Sequence, residues 1–290
     1  MILRKEVERI ALQKNVTRST VDKDWVLGHF IDAIYSIPAC KENLVFKGGT
    51  CLKKCFIPDY RFSEDLDFTA AKPGFILDEA LLKEITGLIT ERTEIPLFID
   101  SIKELKHKEM PTGYAANVKF WGADHLRNQM PPAPERWSTS VKIEVILYEK
   151  MLFPVEQQPI THEYSDKLAN RDQKIPCYNL KEVISEKLRA LIQRSYSAPR
   201  DYYDIWYLSN NLADIEWPVI VEAFHEKMKF KNLEFTGIDQ FINDDVDKKL
   251  KGAWKNSLAH QIPNDKLPAY DLVKNELLNL FHKIFDNQLH

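Results

Sequence analysis

A chain of 290 residues with 44% hydrophobic and 29% charged side chains can fill one large core or two smaller ones, and it is too apolar to stay disordered. Its formal charge of −3 gives no global attraction to nucleic acid, so such a partner would have to be met by a local basic patch. No stretch approaches the roughly 18 uninterrupted apolar residues of a membrane span. The start, Met1-Ile2-Leu3-Arg4-Lys5-Glu6, lacks a signal-peptide core, and Cys40, Cys51, Cys55 and Cys177 form no CxxC pair. A reduced, cytoplasmic protein is expected, with Cys51 and Cys55 as core-facing thiols.

The first segment reads as helix. Leu27, Phe30, Ile31, Ile34 and Ile37 recur at helical steps after a start at Ser19 or Thr20. Leu44-Val45-Phe46 is a short apolar strand leading into Gly48-Gly49, and Thr50 to Phe56 reads as a short helix. Asp65-Leu66-Asp67-Phe68-Thr69 alternates like a strand. A helix is expected around 77–92, then strands near 97–103, 115–121 and 139–148. The run Lys103-Glu104-Leu105-Lys106-His107-Lys108 is the densest basic cluster and reads as solvated surface. Phe153 to Lys174 has no clear period and reads as a connection. Helices follow over Val183 to Ser195, Arg200 to Asn210, Trp217 to Phe230 and Ile238 to Leu258, with a last one through Tyr270, Val273, Leu277, Phe281 and Ile284. The expected organisation is an α+β unit over 1–152 and a linker with a helical domain over 153–290.

The chemistry concentrates in the first half. Side chains alternate along a strand, so Asp65 and Asp67 project from one face while Leu66 and Phe68 take the other. Two carboxylates crowded together are costly unless a cation neutralises them, and Mg²⁺ accepts carboxylate oxygens together with substrate phosphates. Gly48-Gly49 leaves backbone N–H groups open to a phosphate, and the helix expected from Thr50 adds its positive end. In Val141-Lys142-Ile143-Glu144-Val145-Ile146-Leu147 the odd positions are apolar and Glu144 lies on the other face. Glu144 completes a three-carboxylate metal cradle if that strand neighbours the Asp65–Asp67 strand; otherwise it is a strand residue paired with Lys142 or a cross-strand cation.

The string Phe46-Lys47-Gly48-Gly49-Thr50, followed by Arg61-Phe62-Ser63-Glu64-Asp65-Leu66-Asp67, resembles the AbiEii/AbiGii nucleotidyl transferase toxin family. A second block is similar too: Glu186-Lys187-Leu188-Arg189-Ala190-Leu191, then Pro199-Arg200-Asp201-Tyr202-Tyr203-Asp204. The resemblance implies a polymerase-β-like nucleotidyltransferase core, a mixed sheet with flanking helices, joined to a C-terminal α-helical domain. It also implies NTP as substrate and Mg²⁺ or Mn²⁺ as cofactor. Carried onto this chain, the metal residues are Asp65, Asp67 and Glu144. The nucleotide-binding residues are Gly48, Gly49, Thr50, Ser63, Lys187 and Arg194, and Asp201 and Asp204 join Asp65, Asp67 and Lys187 in catalysis.

On a helix Lys187, Leu191 and Arg194 share a face, so Lys187 offers a point charge and Arg194 a planar fork to phosphates. The competing structural reading has Asp201 favoured by a helix N-terminus and Asp204 paired with Arg200. Trp254 reads as packing. The expected reaction moves a nucleoside monophosphate from an NTP to a hydroxyl, with RNA and in particular the 3′ end of tRNA as acceptor by analogy with MenT-type relatives. The expected role is the toxin of a toxin–antitoxin pair, neutralised by a separately encoded antitoxin. The alternatives are nucleotidylation of a small molecule and a nucleotide-binding module without turnover.

Overall fold

The computed structural model describes residues 1–126, 128–194, 198–263 and 265–286. The chain divides into two compact units: Met1–Glu149 with Val155–Tyr178, and Lys150–Pro154 with Asn179–His290.

The first unit opens with α1 (Arg4–Lys14), α2 (Arg18–Ser36) and α3 (Pro38–Asn43). The Thr17 side chain caps α2 by accepting from Thr20 N–H at 3.2 Å, so the helix begins ahead of the expected Ser19 or Thr20. β1 (Leu44–Lys47) runs straight into α4 (Gly48–Cys51), which continues as a π-helical turn over Leu52–Phe56. This helix therefore starts at Gly48, two residues before the expected Thr50. Then come β2 (Asp65–Ala70), α5 (Glu79–Thr93), β3 (Leu97–His107), β4 (Met110–Phe120) and β5 (Ser140–Ile146).

The segment expected to be an irregular connection supplies two further strands, β6 (Glu156–Pro159) and β7 (Lys174–Cys177). β7 pairs in parallel with β1 through Phe46 and Cys177, and Tyr178 N–H donates to Phe46 O at 2.9 Å. Those pairings are why Val155–Tyr178 belongs to the first unit and why the division departs from the expected 152/153 boundary. Neither Glu156-Gln157-Gln158-Pro159 nor Lys174-Ile175-Pro176-Cys177 has the apolar run that marked the equally short β1.

The sheet order is β3-β4-β5-β2-β1-β7-β6, with β2/β5 and β1/β7 parallel and the remaining pairs antiparallel. Leu66 and Phe68 of β2 and Val141, Ile143 and Val145 of β5 are buried in the core with Leu27, Phe30 and Ile34 of α2 and Leu82, Ile85 and Ile89 of α5. Each such side chain contributes about 1.5–3 kcal/mol of burial, and the same alternation turns Asp65, Asp67 and Glu144 to the other face of the sheet. Cys51, Cys55 and Cys177 are buried free thiols, as expected for the first two.

The second unit contains α6 (Leu180–Gln193), α7 (Pro199–Asn211), α8 (Trp217–Phe230), a 3₁₀ turn (Ile238–Gln240), α9 (Asp244–Leu258) and α10 (Tyr270–Phe285). Ser195, the expected end of the first of these helices, lies outside the described residues. The single helix expected over Ile238 to Leu258 is instead a 3₁₀ turn and a helix restarted by Asn243, whose side chain accepts from Val246 N–H at 3.0 Å. Phe224, Phe241, Phe281 and Phe285 form an aromatic core, and Trp254 is buried with its indole N–H on Pro268 O at 2.9 Å. Lys150–Pro154 is held to this unit by buried polar contacts: Glu182 accepts from Leu152 and Phe153 N–H at 2.8 and 2.9 Å, and Lys227, paired with Glu182, donates to Lys150 O at 3.0 Å. No helix among the described residues is long and apolar enough to cross a membrane.

Candidate active site

Strand register builds the first cluster. β2 and β5 pair in parallel with Asp65 opposite Lys142 and Asp67 opposite Glu144, so all four side chains leave the sheet on one face. β1 brings Lys47 opposite Asp67 on the other side. One row across the sheet thus reads Lys47, Asp67, Glu144, and the next reads Asp65, Lys142. The structure brings Asp65, Asp67 and Glu144 together on one side, as the alternation of both strands requires.

Lys142 Nζ donates to Glu144 Oε2 at 2.5 Å. Burial works against the charge on Lys142, but the hydrogen bond to Glu144 and the charges of Glu144, Asp65 and Asp67 outweigh it and raise its pKa. The ammonium is therefore a built-in counterion to part of the acidic face. Glu144 has both of its expected partnerships: it neighbours Asp67 and it pairs with Lys142.

The glycine turn fits against these acids. Gly48 has φ +80°, and a Cβ there would collide with the Asp67 carboxylate. Glycine is required at this position both for its backbone and for space. A Cβ on Gly49 would lie 2.9 Å from Ser63 Oγ and 3.0 Å from the Arg61 guanidinium, so Ser63 and Arg61 border the same turn. The first N–H groups of a helix have no intrahelical acceptor, and here they belong to Gly48, Gly49 and Thr50. The Thr50 hydroxyl is already engaged, donating to Asp65 O at 2.5 Å, and this bond ties the helix start to the head of the acidic strand.

Two residues here, Lys47 and Arg61, had no role assigned from the sequence, and Lys142 had one only as an alternative partner of Glu144. Lys47 and Arg61 stand inside the quoted motif, and Lys142 is two residues before Glu144, on the same face of its strand. Position in the motif and strand parity were the available signals. Lys47 is 7% exposed with its Nζ 5.4 Å from the Tyr178 ring, and Tyr178 shares a 2.6 Å hydrogen bond with Thr69 of β2.

The second cluster lies within the helical unit. Lys187 of α6 places Nζ 2.5 Å from Asp204 Oδ2 and 3.5 Å from Asp201 Oδ1, both on α7. Arg194 pairs with the other oxygen of Asp201. Asp204 is fully buried and Asp201 nearly so. Arg194 does not share the Lys187 helix face as expected, because α6 ends at Gln193 and Arg194 is its extended C-cap. Its meeting with Lys187 comes through Asp201 instead. Asp204, for its part, is bound by Lys187.

The family comparison bears on both clusters. The model of the AbiEii family, described as nucleotidyl transferase AbiEii toxin, Type IV TA system, matches residues 29–276. The chain belongs to the AbiEii nucleotidyl transferase toxin family. Both clusters lie inside the matched stretch, and the chain is accordingly an NTP-using nucleotidyltransferase and a toxin of a type IV toxin–antitoxin system. Solved structures share its fold. MenT4, a nucleotidyltransferase toxin from Mycobacterium tuberculosis H37Rv, superposes with a TM-score of 0.63 at 19% identity, over 99% of this chain and 90% of that one. JHP933 from Helicobacter pylori gives 0.53 at 15% identity, over 94% and 96%. None of the curated proteins matches the sequence. The α+β core with a mixed seven-stranded sheet is the architecture expected from the AbiEii resemblance.

Proposed function

We propose that this AbiEii-family enzyme transfers a nucleoside monophosphate from an NTP to a hydroxyl of RNA, with the 3′ end of tRNA as acceptor. The observation that carries the site assignment is the register of β2 and β5, which lines Asp65, Asp67 and Glu144 along one face beside the Gly48-Gly49 turn. An all-oxygen donor set of this kind suits a hard divalent cation, so these three carboxylates are the residues to hold Mg²⁺ or Mn²⁺. When bound, the ion offsets negative charge on the phosphates and lowers the cost of forming the attacking alkoxide.

The chain's own groups have distinct parts. The N–H groups of Gly48, Gly49 and Thr50 and the Ser63 hydroxyl bind phosphate oxygens. In the second unit, Lys187 and Arg194 are the proposed phosphate-binding cations, one as a point charge and the other as a fork. Asp204 orients Lys187, a role supported by the 2.5 Å contact, and Asp201 orients Arg194. In the transfer itself the acceptor oxygen bonds to the α-phosphorus, the bond to pyrophosphate breaks, and the acceptor proton passes to solvent or a carboxylate. The reaction belongs in the cytoplasm, where its substrates are, and a separately encoded antitoxin restrains it.

The deciding experiment incubates the purified chain with each labelled NTP, Mg²⁺ or Mn²⁺, and either total RNA or a panel of small hydroxylated metabolites. Label on a tRNA-sized RNA, lost in Asp65→Ala, is the expected result. Label on a small molecule alone would move the acceptor assignment, and nucleotide binding without any transfer would leave only a binding module.

A further inference from the structure

A second cluster of metal-ligating side chains lies away from the acidic face, where α2 meets the connection between β6 and β7. His29 comes from the middle of α2, and His162 and Asp166 come from that connection. Among the described residues their ligand atoms all fall within 4.8 Å of one another. His29 Nε2 is 3.1 Å from Asp166 Oδ2, and His162 Nε2 is 2.9 Å from Asp166 Oδ1. Trp25 Nε1, one turn before His29, donates to both carboxylate oxygens at 3.1 and 3.0 Å.

We propose that His29, His162 and Asp166 form a zinc site that cross-links α2 to the β6–β7 connection. Zinc takes nitrogen and oxygen ligands at about 2.0–2.2 Å in tetrahedral geometry, which spaces ligand atoms about 3.3 Å apart. The two imidazole–carboxylate separations reach that value with an opening of a few tenths of an ångström. Two imidazoles and a carboxylate leave the fourth position to water, and the side in contact with solvent is the carboxylate: the Asp166 side chain is 21% exposed, against 6% and 5% for the imidazoles.

The surroundings are built for ligation. A ligating carboxylate is ordinarily held by an outer donor, and Trp25 fills that position. A Cβ on Gly28 would stand 2.6 Å from His162 Nδ1, so the ring is admitted only because α2 carries a glycine in its interior. Such a glycine is a poorer helix former than alanine, a weakness with no backbone reason here, since Gly28 has ordinary helical geometry.

The test is a Co²⁺ titration of the full chain after chelator treatment. One equivalent should produce the intense visible absorption of four-coordinate Co²⁺, and Zn²⁺ should abolish it by displacement. His162→Gln and Asp166→Asn should lose the band, whereas Asp65→Asn should keep it, which separates this site from the oxygen-only one. Trp25→Phe should weaken binding about tenfold or more. Absence of a stoichiometric band in the unaltered chain would overturn the proposal without recourse to any variant. Persistence of the band in folded His162→Gln or Asp166→Asn would overturn it as well.

Discussion

The acidic face of the sheet and the charged cluster of the helical unit are made from the same side-chain types, yet their exposure to water differs. On the sheet, Asp65, Asp67 and Glu144 share a face with Lys47 and Lys142, the Arg61 guanidinium borders the adjoining Gly49, and all three acids keep part of their surface in water. In the helical unit, two carboxylates meet two cations, and Asp204 is withdrawn from water altogether. A buried charge must be matched by the protein, because removing one partner strands the other in a low dielectric. Part-exposed acids, by contrast, stay within reach of water and of a ligand. The sheet acids are thus open to a ligand, as the proposed cation site needs, while the helical cluster bears on stability as well as on any phosphate contact.

The largest expected effect tests the first half of that contrast. Asp65→Ala and Asp67→Ala should each abolish nucleotidyl transfer while changing unfolding free energy by less than about 0.5 kcal/mol. Single-turnover assays beside urea denaturation read both quantities, and wild-type transfer by either variant would break the metal assignment. Asp204→Ala should behave in the opposite way, losing about 3–5 kcal/mol of stability because Lys187 is left buried without its nearest carboxylate. A denaturation midpoint equal to wild type would show that the helical cluster is no more costly to disrupt than the sheet's.

Asp22 of α2 extends the contrast to an acid that is buried against backbone donors. Burial pushes its pKa up to about 7, although Ala123 N–H donates to it at 2.7 Å. Because the folded value lies above the unfolded one near 3.8, its contribution to stability is complete below that lower value and is lost as pH rises towards 7. Asp22→Asn cannot ionise. Its stability relative to wild type should therefore be greater at pH 8 than at pH 4 by roughly 2–4 kcal/mol, with a constant gap above pH 8; a gap independent of pH would contradict the assignment.

Lys187→Ala should reduce NTP affinity or turnover about tenfold or more, since a charge-assisted phosphate contact is worth about 1.5–3 kcal/mol. Lys187→Arg should rescue only in part, because a guanidinium differs in reach and hydration. Unchanged nucleotide titration and transfer rates would reduce Lys187 to a purely structural ion. The smallest effect falls on Arg200, whose expected partner Asp204 is engaged by Lys187: Arg200→Ala should shift stability by less than about 0.5 kcal/mol.

Much of this molecule was readable in advance. The alternation of Asp65 and Asp67 with Leu66 and Phe68, and of Glu144 with Ile143 and Val145, reports which face of a strand each residue takes, because β side chains alternate whatever the neighbours. The helical period placed α5, α6, α7, α8 and α10 to within a few residues for the same local reason. The two motif blocks carried the family, since their residue types and spacing are themselves sequence properties.

Other features depended on contacts between residues far apart in the chain. Whether Glu144 lies beside Asp67 is a matter of strand order, and only the parallel β2–β5 pairing decided it. β6 and β7 were invisible because Glu156-Gln157-Gln158-Pro159 and Lys174-Ile175-Pro176-Cys177 lack the apolar run that marked the equally short β1, and each contains a proline; they exist by pairing with each other and with β1. Local pattern offered Asp204 a partner in Arg200 on the same helix; the packing of α6 against α7 gives it Lys187, 17 positions earlier, instead. The gathering of His29 with His162 and Asp166 is of the same kind, joining positions 137 apart in the chain, from His29 to Asp166. Local pattern determines the face from which a side chain departs; tertiary packing determines what stands opposite, and the chemistry of a site lies in that pairing.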